Sequence, residues 1–199
     1  MMNRLSSTDY LRQLRADNTL NSRPRRILVL TANAGFGHRS AAIAIEEALK
    51  EIYGSQVQVL MVNPLDDRRA PLLLRDSQSD YDKIVRNMPE LYRLGYEASD
   101  AAIPTVMAES ALTVLLYELM ADIVEQIRPD AIISTYPLYQ APLVAYFTIS
   151  RHYIPCMTVV TDLATVHRIW FNEQVDHLFV PTETVKKLAI EYGISEDSI

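Results

Sequence analysis

From residue 25 onward, short aliphatic and β-branched runs alternate with longer stretches whose apolar side chains recur every three to four positions. That alternation predicts parallel strands joined by covering helices. Residues 27–31 form the first such strand. In residues 38–53, Ala41, Ala42, Ile45, Ala48, Leu49 and Ile52 share one side while Glu46, Glu47 and Lys50 share another, so an amphipathic helix is expected, ended by Gly54. A second strand spans 57–62 and stops at Asn63 and Pro64. Residues 65–103 carry Pro71 and Pro89, with Pro104 just beyond, and no single long period, which predicts short helices and loops. A long helix over 105–128 follows, with Pro104 at its start and Pro129 past its end. Further strands are expected at 131–135, 157–161 and 177–180, and further helices at 143–150 and 184–192, the last capped by Gly193.

Strands alternating with helices, connected right-handedly, make an α/β fold: a Rossmann-like doubly wound parallel sheet over residues 26–199, preceded by an arm over 1–25. The 199 residues, 49% hydrophobic and 22% charged, suit one globular domain. No apolar run approaches the ~20 residues of a membrane-spanning helix, and no apolar core of a secretory signal is present. Cys156 is the single cysteine; it predicts neither an intrachain disulfide nor a thiolate metal cluster, and points to a reducing compartment. The net charge of −6 argues against nucleic acid as a partner. That average hides an asymmetry. Residues 1–26 hold six arginines against Asp9 and Asp17, a net of +4, which leaves −10 on the remainder. The arm reads as a solvated leader helix, with Ser7 or Thr8 as N-cap and Leu11 and Leu14 as a short stripe, or as a contact to an anionic surface.

In doubly wound sheets ligands bind beyond the carboxyl ends of the strands, and three polar clusters fall there. The first runs from Thr31 to His38, where Gly35, Phe36 and Gly37 lead into a helix. Glycines at such a switch permit close approach or positive φ. The third glycine of a dinucleotide fingerprint is replaced by Ser40, and no phosphate-loop lysine follows. His38 reads either as a loop-stabilising histidine or as a general base, kept neutral by the positive end of the helix; the two preceding glycines favour the base. The second cluster runs from Thr161 to Trp170. There Asp162 is expected to orient or charge-stabilise His38, or else to cap a turn. Trp170 and Phe171 beside His167 and Arg168 suit a membrane interface or a sugar face, and equally a buried hinge. The third cluster, Ser134 to Tyr139, supplies hydroxyls and apolar surface through Tyr136 and Pro137, or forms a plain turn. No glycine-flanked serine elbow occurs, so acid–base transfer fits better than nucleophilic hydrolysis.

Four stretches carry a family resemblance: LTANAGFGHRSAAIAIEEAL at 30–49, MPELYRLGYE at 88–97, RPDAIISTYPL at 128–138 and VVTDLATVHRIWF at 159–171. From about residue 26 to 199 the chain resembles the monogalactosyldiacylglycerol synthase and processive diacylglycerol glucosyltransferase family, distant relatives of the peptidoglycan-precursor N-acetylglucosaminyltransferase. The resemblance implies the N-terminal, acceptor-binding half of a GT-B fold, with the chain's own C-terminal donor domain beyond residue 199 and this half inactive alone. It implies transfer of a hexose from a UDP-sugar to 1,2-diacylglycerol with inversion, at a cytoplasmic, peripheral membrane location, with anionic membrane lipids as further partners. No cofactor and no metal are implied, since the UDP-sugar is a substrate bound mainly by the other domain. By the same resemblance His38 is the base and Asp162 belongs to the family's Thr-Asp dipeptide. Gly35, Phe36, Gly37, Tyr136, Pro137, His167 and Trp170 line the acceptor or lipid side. Residues 72–103, with Leu72, Leu73, Leu74, Met88, Leu91, Tyr92, Leu94 and Tyr96, are expected to form either an apolar flap at the bilayer or ordinary packed helices. A non-catalytic lipid- or nucleotide-binding module, and a transferase with another acceptor, stay open as alternatives.

Overall fold

The computed structural model describes residues 23–34, 36–72, 74–75, 102–164 and 166–199. Strands β1 (Arg25–Leu30), β2 (Val57–Val62), β3 (Ala131–Ser134), β4 (Cys156–Val159) and β5 (His177–Phe179) form one parallel sheet in the order β2-β1-β3-β4-β5. Helices α1 (Phe36–Tyr53), α2 (Ala102–Ile127), α3 (Gln140–Ser150) and α4 (Glu183–Glu191) connect or follow them. The chain leaves β1 in one direction to reach β2 and returns past it to β3. The crevice at the carboxyl ends of β1 and β3 is therefore the switch point of the sheet.

The strands read as near-continuous apolar runs because both faces are covered. Leu28, Leu30 and Ile132 pack with Leu116, Met120 and Val124 of α2 and Leu143 of α3 in one core, and α2 and α3 lie against each other. Val29, the alternate residue of β1, is equally buried, as is Ala42 of α1; with right-handed crossovers this places α1 on the other face. A second cluster joins Val160, Val166, Trp170, Phe171 and Leu178 to Val185 and Ala189 of α4. Cys156 is buried, and burial pushes its thiol up to about 12, which makes it inert.

Two boundaries differ instructively from the sequence reading. β1 begins two residues early because the Arg26 N–H donates to Asp130 at 2.8 Å, while the Arg23 guanidinium forks onto the same carboxylate at 3.0 and 3.1 Å. The Arg26 guanidinium caps the Ile127 carbonyl at 2.9 Å. Arg23, Arg25 and Arg26 thus clasp the amino ends of the strands, and the charge assigned to the arm is partly structural. α2 starts at Ala102, which puts Pro104 in the first turn, where its missing N–H costs nothing. The rest of the arm, residues 1–22, and nearly all of the proposed flap lie outside the described residues. No helix among the described residues is long and apolar enough to cross a membrane.

Candidate functional site

His38 stands in the first turn of α1, and its ring reaches across the switch point to the ends of β3 and β4. Nδ1 lies 2.8 Å from the Thr135 carbonyl oxygen and 2.8 Å from Thr161 Oγ1. A carbonyl can only accept, so Nδ1 carries the hydrogen and Nε2 keeps its lone pair. Thr135 is itself fixed: its N–H donates to the Leu30 carbonyl at 2.9 Å and its hydroxyl to the His38 carbonyl at 3.0 Å. Side chain and backbone therefore clasp reciprocally across 97 residues of sequence.

The ring is walled by aromatics. Tyr136 meets it edge-on at 4.9 Å and 80°, and Trp170 lies at 5.8 Å and 36°. This burial lowers the His38 pKa from its ordinary 6.5, against the upward pull of the Thr135 carbonyl and the Asp162 charge. Loss of solvation keeps the imidazole neutral at pH 7; the sequence reading had given that task to the helix dipole.

The remaining predicted site residues are arranged differently from their sequence order. The Asp162 carboxylate accepts the Trp170 indole N–H at 2.7 Å. It reaches His38 through charge, one of the roles expected of it, while Nδ1 is met by the Thr135 carbonyl and Thr161 Oγ1. Trp170 is 1% exposed and Phe171 is buried against Tyr192 at 5.4 Å, so this pair takes the buried alternative and offers no ring face to a lipid or sugar. Arg168 stacks over Tyr192 at 4.5 Å. His167 Nδ1 accepts the Ile169 N–H at 3.1 Å, capping the single turn Arg168–Trp170. Pro137 opens the turn Pro137–Tyr139 behind Tyr136.

Gly35 lies outside the described residues. Phe36, 80% exposed, projects from the start of α1. Gly37 does not need a left-handed backbone, and a Cβ built there would sit 3.7 Å from Thr161 Cβ, an ordinary contact. The missing side chain leaves room beside His38. Gly37→Ala is accordingly expected to keep or slightly raise the melting temperature, since alanine suits a helix better than glycine. A fall of more than about 3 °C, roughly 1 kcal/mol for a domain of this size, would show that the position is crowded.

The strand-end clusters read from the sequence contain Thr135, Tyr139 and Thr161 without giving any of them an individual role, and they leave out Gln140. The Tyr139 hydroxyl lies 3.1 Å from the Thr31 carbonyl and 3.2 Å from Asn63 Oδ1, tying three strand ends together. Buried Gln140 donates to the Trp170 carbonyl at 3.1 Å. Their signal was only that of hydroxyls and amides at strand ends. A groove of about 560 Å³ lined by Arg23, Arg128, Asp130, Tyr146 and His152 opens at the opposite, amino edge of the sheet. It belongs to the arginine clasp and not to the His38 crevice.

The family model described as monogalactosyldiacylglycerol (MGDG) synthase matches residues 38–199, the stretch that holds His38, Tyr136, Thr161, Asp162 and Trp170. The chain belongs to the monogalactosyldiacylglycerol synthase family. It is 31% identical over 182 residues to a chloroplastic monogalactosyldiacylglycerol synthase of Spinacia oleracea, covering 88% of this chain and 34% of the relative. To a processive diacylglycerol beta-glucosyltransferase of Bacillus thuringiensis (strain Al Hakam) it is 30% identical over 179 residues, 87% of this chain and 43% of that one. The chain thus spans about a third of the length of the plant relatives and somewhat more of the bacterial one. The five-stranded parallel sheet with its covering helices is the Rossmann-like α/β arrangement of half a GT-B fold.

Proposed function

We propose that this chain is the acceptor-side half of a glycosyltransferase that moves a hexose from a UDP-sugar to the free hydroxyl of 1,2-diacylglycerol, with His38 as general base. One observation carries the reading: a neutral imidazole at the switch point, pinned at Nδ1 and unprotonated at Nε2. Its relatives, a monogalactosyldiacylglycerol synthase and a processive diacylglycerol beta-glucosyltransferase, support the substrate class. Nε2 takes the hydroxyl proton as the acceptor oxygen bonds to the anomeric carbon. The bond from that carbon to the phosphate oxygen breaks, its electron pair leaves on UDP, and the configuration inverts. The donor is held by a second domain, whose groups meet the departing negative charge. Phe36 and the space left by Gly37 admit the acceptor, Tyr136 and Pro137 wall it, and anionic lipid hold the protein at the membrane surface as a peripheral enzyme.

The test is to supply the full-length protein with diacylglycerol vesicles and labelled UDP-galactose or UDP-glucose and to look for labelled glycolipid. Diacylglycerol binding with no transfer from either donor would leave a binding module instead. A pH prediction follows from the lowered pKa. The base works when neutral, so the acid limb of kcat/KM is expected to be centred below 6.5. The fold obeys the same sign: the unfolded chain takes up this proton first, so this contribution to stability is lost as pH falls below 6.5. An acid limb centred at or above 6.5 would contradict a buried neutral His38.

A further inference from the structure

Catalytic histidines are commonly held by a carboxylate on the ring nitrogen that does no chemistry. In this chain the neighbouring carboxylate is otherwise engaged, because Asp162 accepts the buried Trp170 indole at 2.7 Å. Two neutral oxygens occupy its place at Nδ1, the Thr135 carbonyl and Thr161 Oγ1, each at 2.8 Å. We propose that Thr161 is the positioning residue for His38: with the Thr135 carbonyl it holds the proton on Nδ1, so that the lone pair of Nε2 faces the crevice. The proposal rests on the reading of His38 as a base, and it assigns Thr161 a role in which it never touches the acceptor.

Three features carry it. The Thr135 carbonyl belongs to the main chain, clamped through the Thr135 N–H to Leu30 at 2.9 Å and through the Thr135 hydroxyl to His38 at 3.0 Å. It accepts the Nδ1 hydrogen but fixes the ring along one direction only, which leaves the ring free to turn away. Thr161 supplies the second direction from another strand end, 123 residues away in sequence. Its Cβ lies 3.7 Å from where a side chain on Gly37 would begin, so the hydroxyl sits at the edge of the same open space as the ring. Two neutral acceptors also differ from a carboxylate in consequence. A full negative charge at Nδ1 would strongly favour imidazolium, whereas here the charged group facing the ring is Asp162, acting at a distance, and solvent exclusion prevails. Thr161 can therefore orient the base without charging it.

The arrangement is testable on this chain without any sugar donor. With ¹⁵N-labelled histidine, long-range ¹H–¹⁵N spectra report the tautomer of each of the four histidines, and His38→Gln identifies the His38 signals. Wild-type His38 is expected as the Nδ1–H form. His167, whose Nδ1 accepts the Ile169 N–H, is expected as the opposite tautomer and serves as an internal reference. Thr161→Val should speed exchange of the His38 Nδ1–H with water by about fivefold or more, the loss of roughly one hydrogen bond, and bring in the Nε2–H form. Thr161→Ser should restore the wild-type pattern, and Asp162→Asn should leave the tautomer unchanged. If Thr161→Val disturbs the fold, Thr161→Ala with Thr161→Ser makes the same comparison. A wild-type His38 in the Nε2–H form, or an unchanged spectrum in Thr161→Val, would overturn the proposal. Full transfer by full-length His38→Ala, with the tautomer results as expected, would instead remove the base and leave the positioning intact.

Discussion

His38→Ala in the full-length enzyme should lower kcat/KM for diacylglycerol by about a hundredfold or more, the usual worth of a positioned general base. The expectation follows from three properties of the ring that alanine removes together. Nε2 carries the lone pair, Nδ1 is pinned at 2.8 Å by two oxygens, and burial keeps the imidazole neutral. Vesicle binding and the melting temperature should change little by comparison, because His38 is only half-buried and the apolar cores are built from other residues. The contrast between lost turnover and retained binding is what identifies a base. A loss under about tenfold in the steady-state assay would leave His38 as a loop-stabilising residue.

Trp170→Ala has the largest expected effect on folding, about 3–5 kcal/mol of unfolding free energy out of a typical total of 5–15. The ring is 1% exposed at the centre of the cluster joining β5 and α4. It also satisfies the half-buried Asp162 through its indole N–H. Truncation leaves a cavity and an unpartnered carboxylate, and it removes one wall of His38. Urea denaturation measures the loss. Because Trp170 is the single tryptophan, its fluorescence gives an independent reading: emission should already be that of a buried indole and should not shift on adding anionic vesicles. A cost below about 1 kcal/mol, together with a vesicle-induced shift, would return the ring to the lipid-facing role that its neighbours in sequence suggest.

Those two residues show where the sequence was legible and where it misled. The place of His38 at a strand-to-helix switch was readable because its signal is local: two glycines, a strand before, an amphipathic helix after. Trp170 was ambiguous because HRIWF has the composition of an interface and of a hinge alike, and composition does not say which side of a turn faces the core. Asp162 was assigned to His38 because aspartates often partner histidines, yet an indole eight residues on took the carboxylate. Arg23, Arg25 and Arg26 counted toward a basic arm until Asp130 and the Ile127 carbonyl claimed them.

The alternation of strands and helices and the parallel sheet were written in local pattern, since hydrophobic period, strand composition and caps act within a few residues of one another. That Thr135 and Thr161 hold the imidazole while Asp162 acts on it through charge, and that Trp170 is a wall, came from the folded arrangement alone. Those choices depend on which atoms meet across 97 and 123 residues of chain, and on how much water is excluded when they do. No local pattern encodes either quantity.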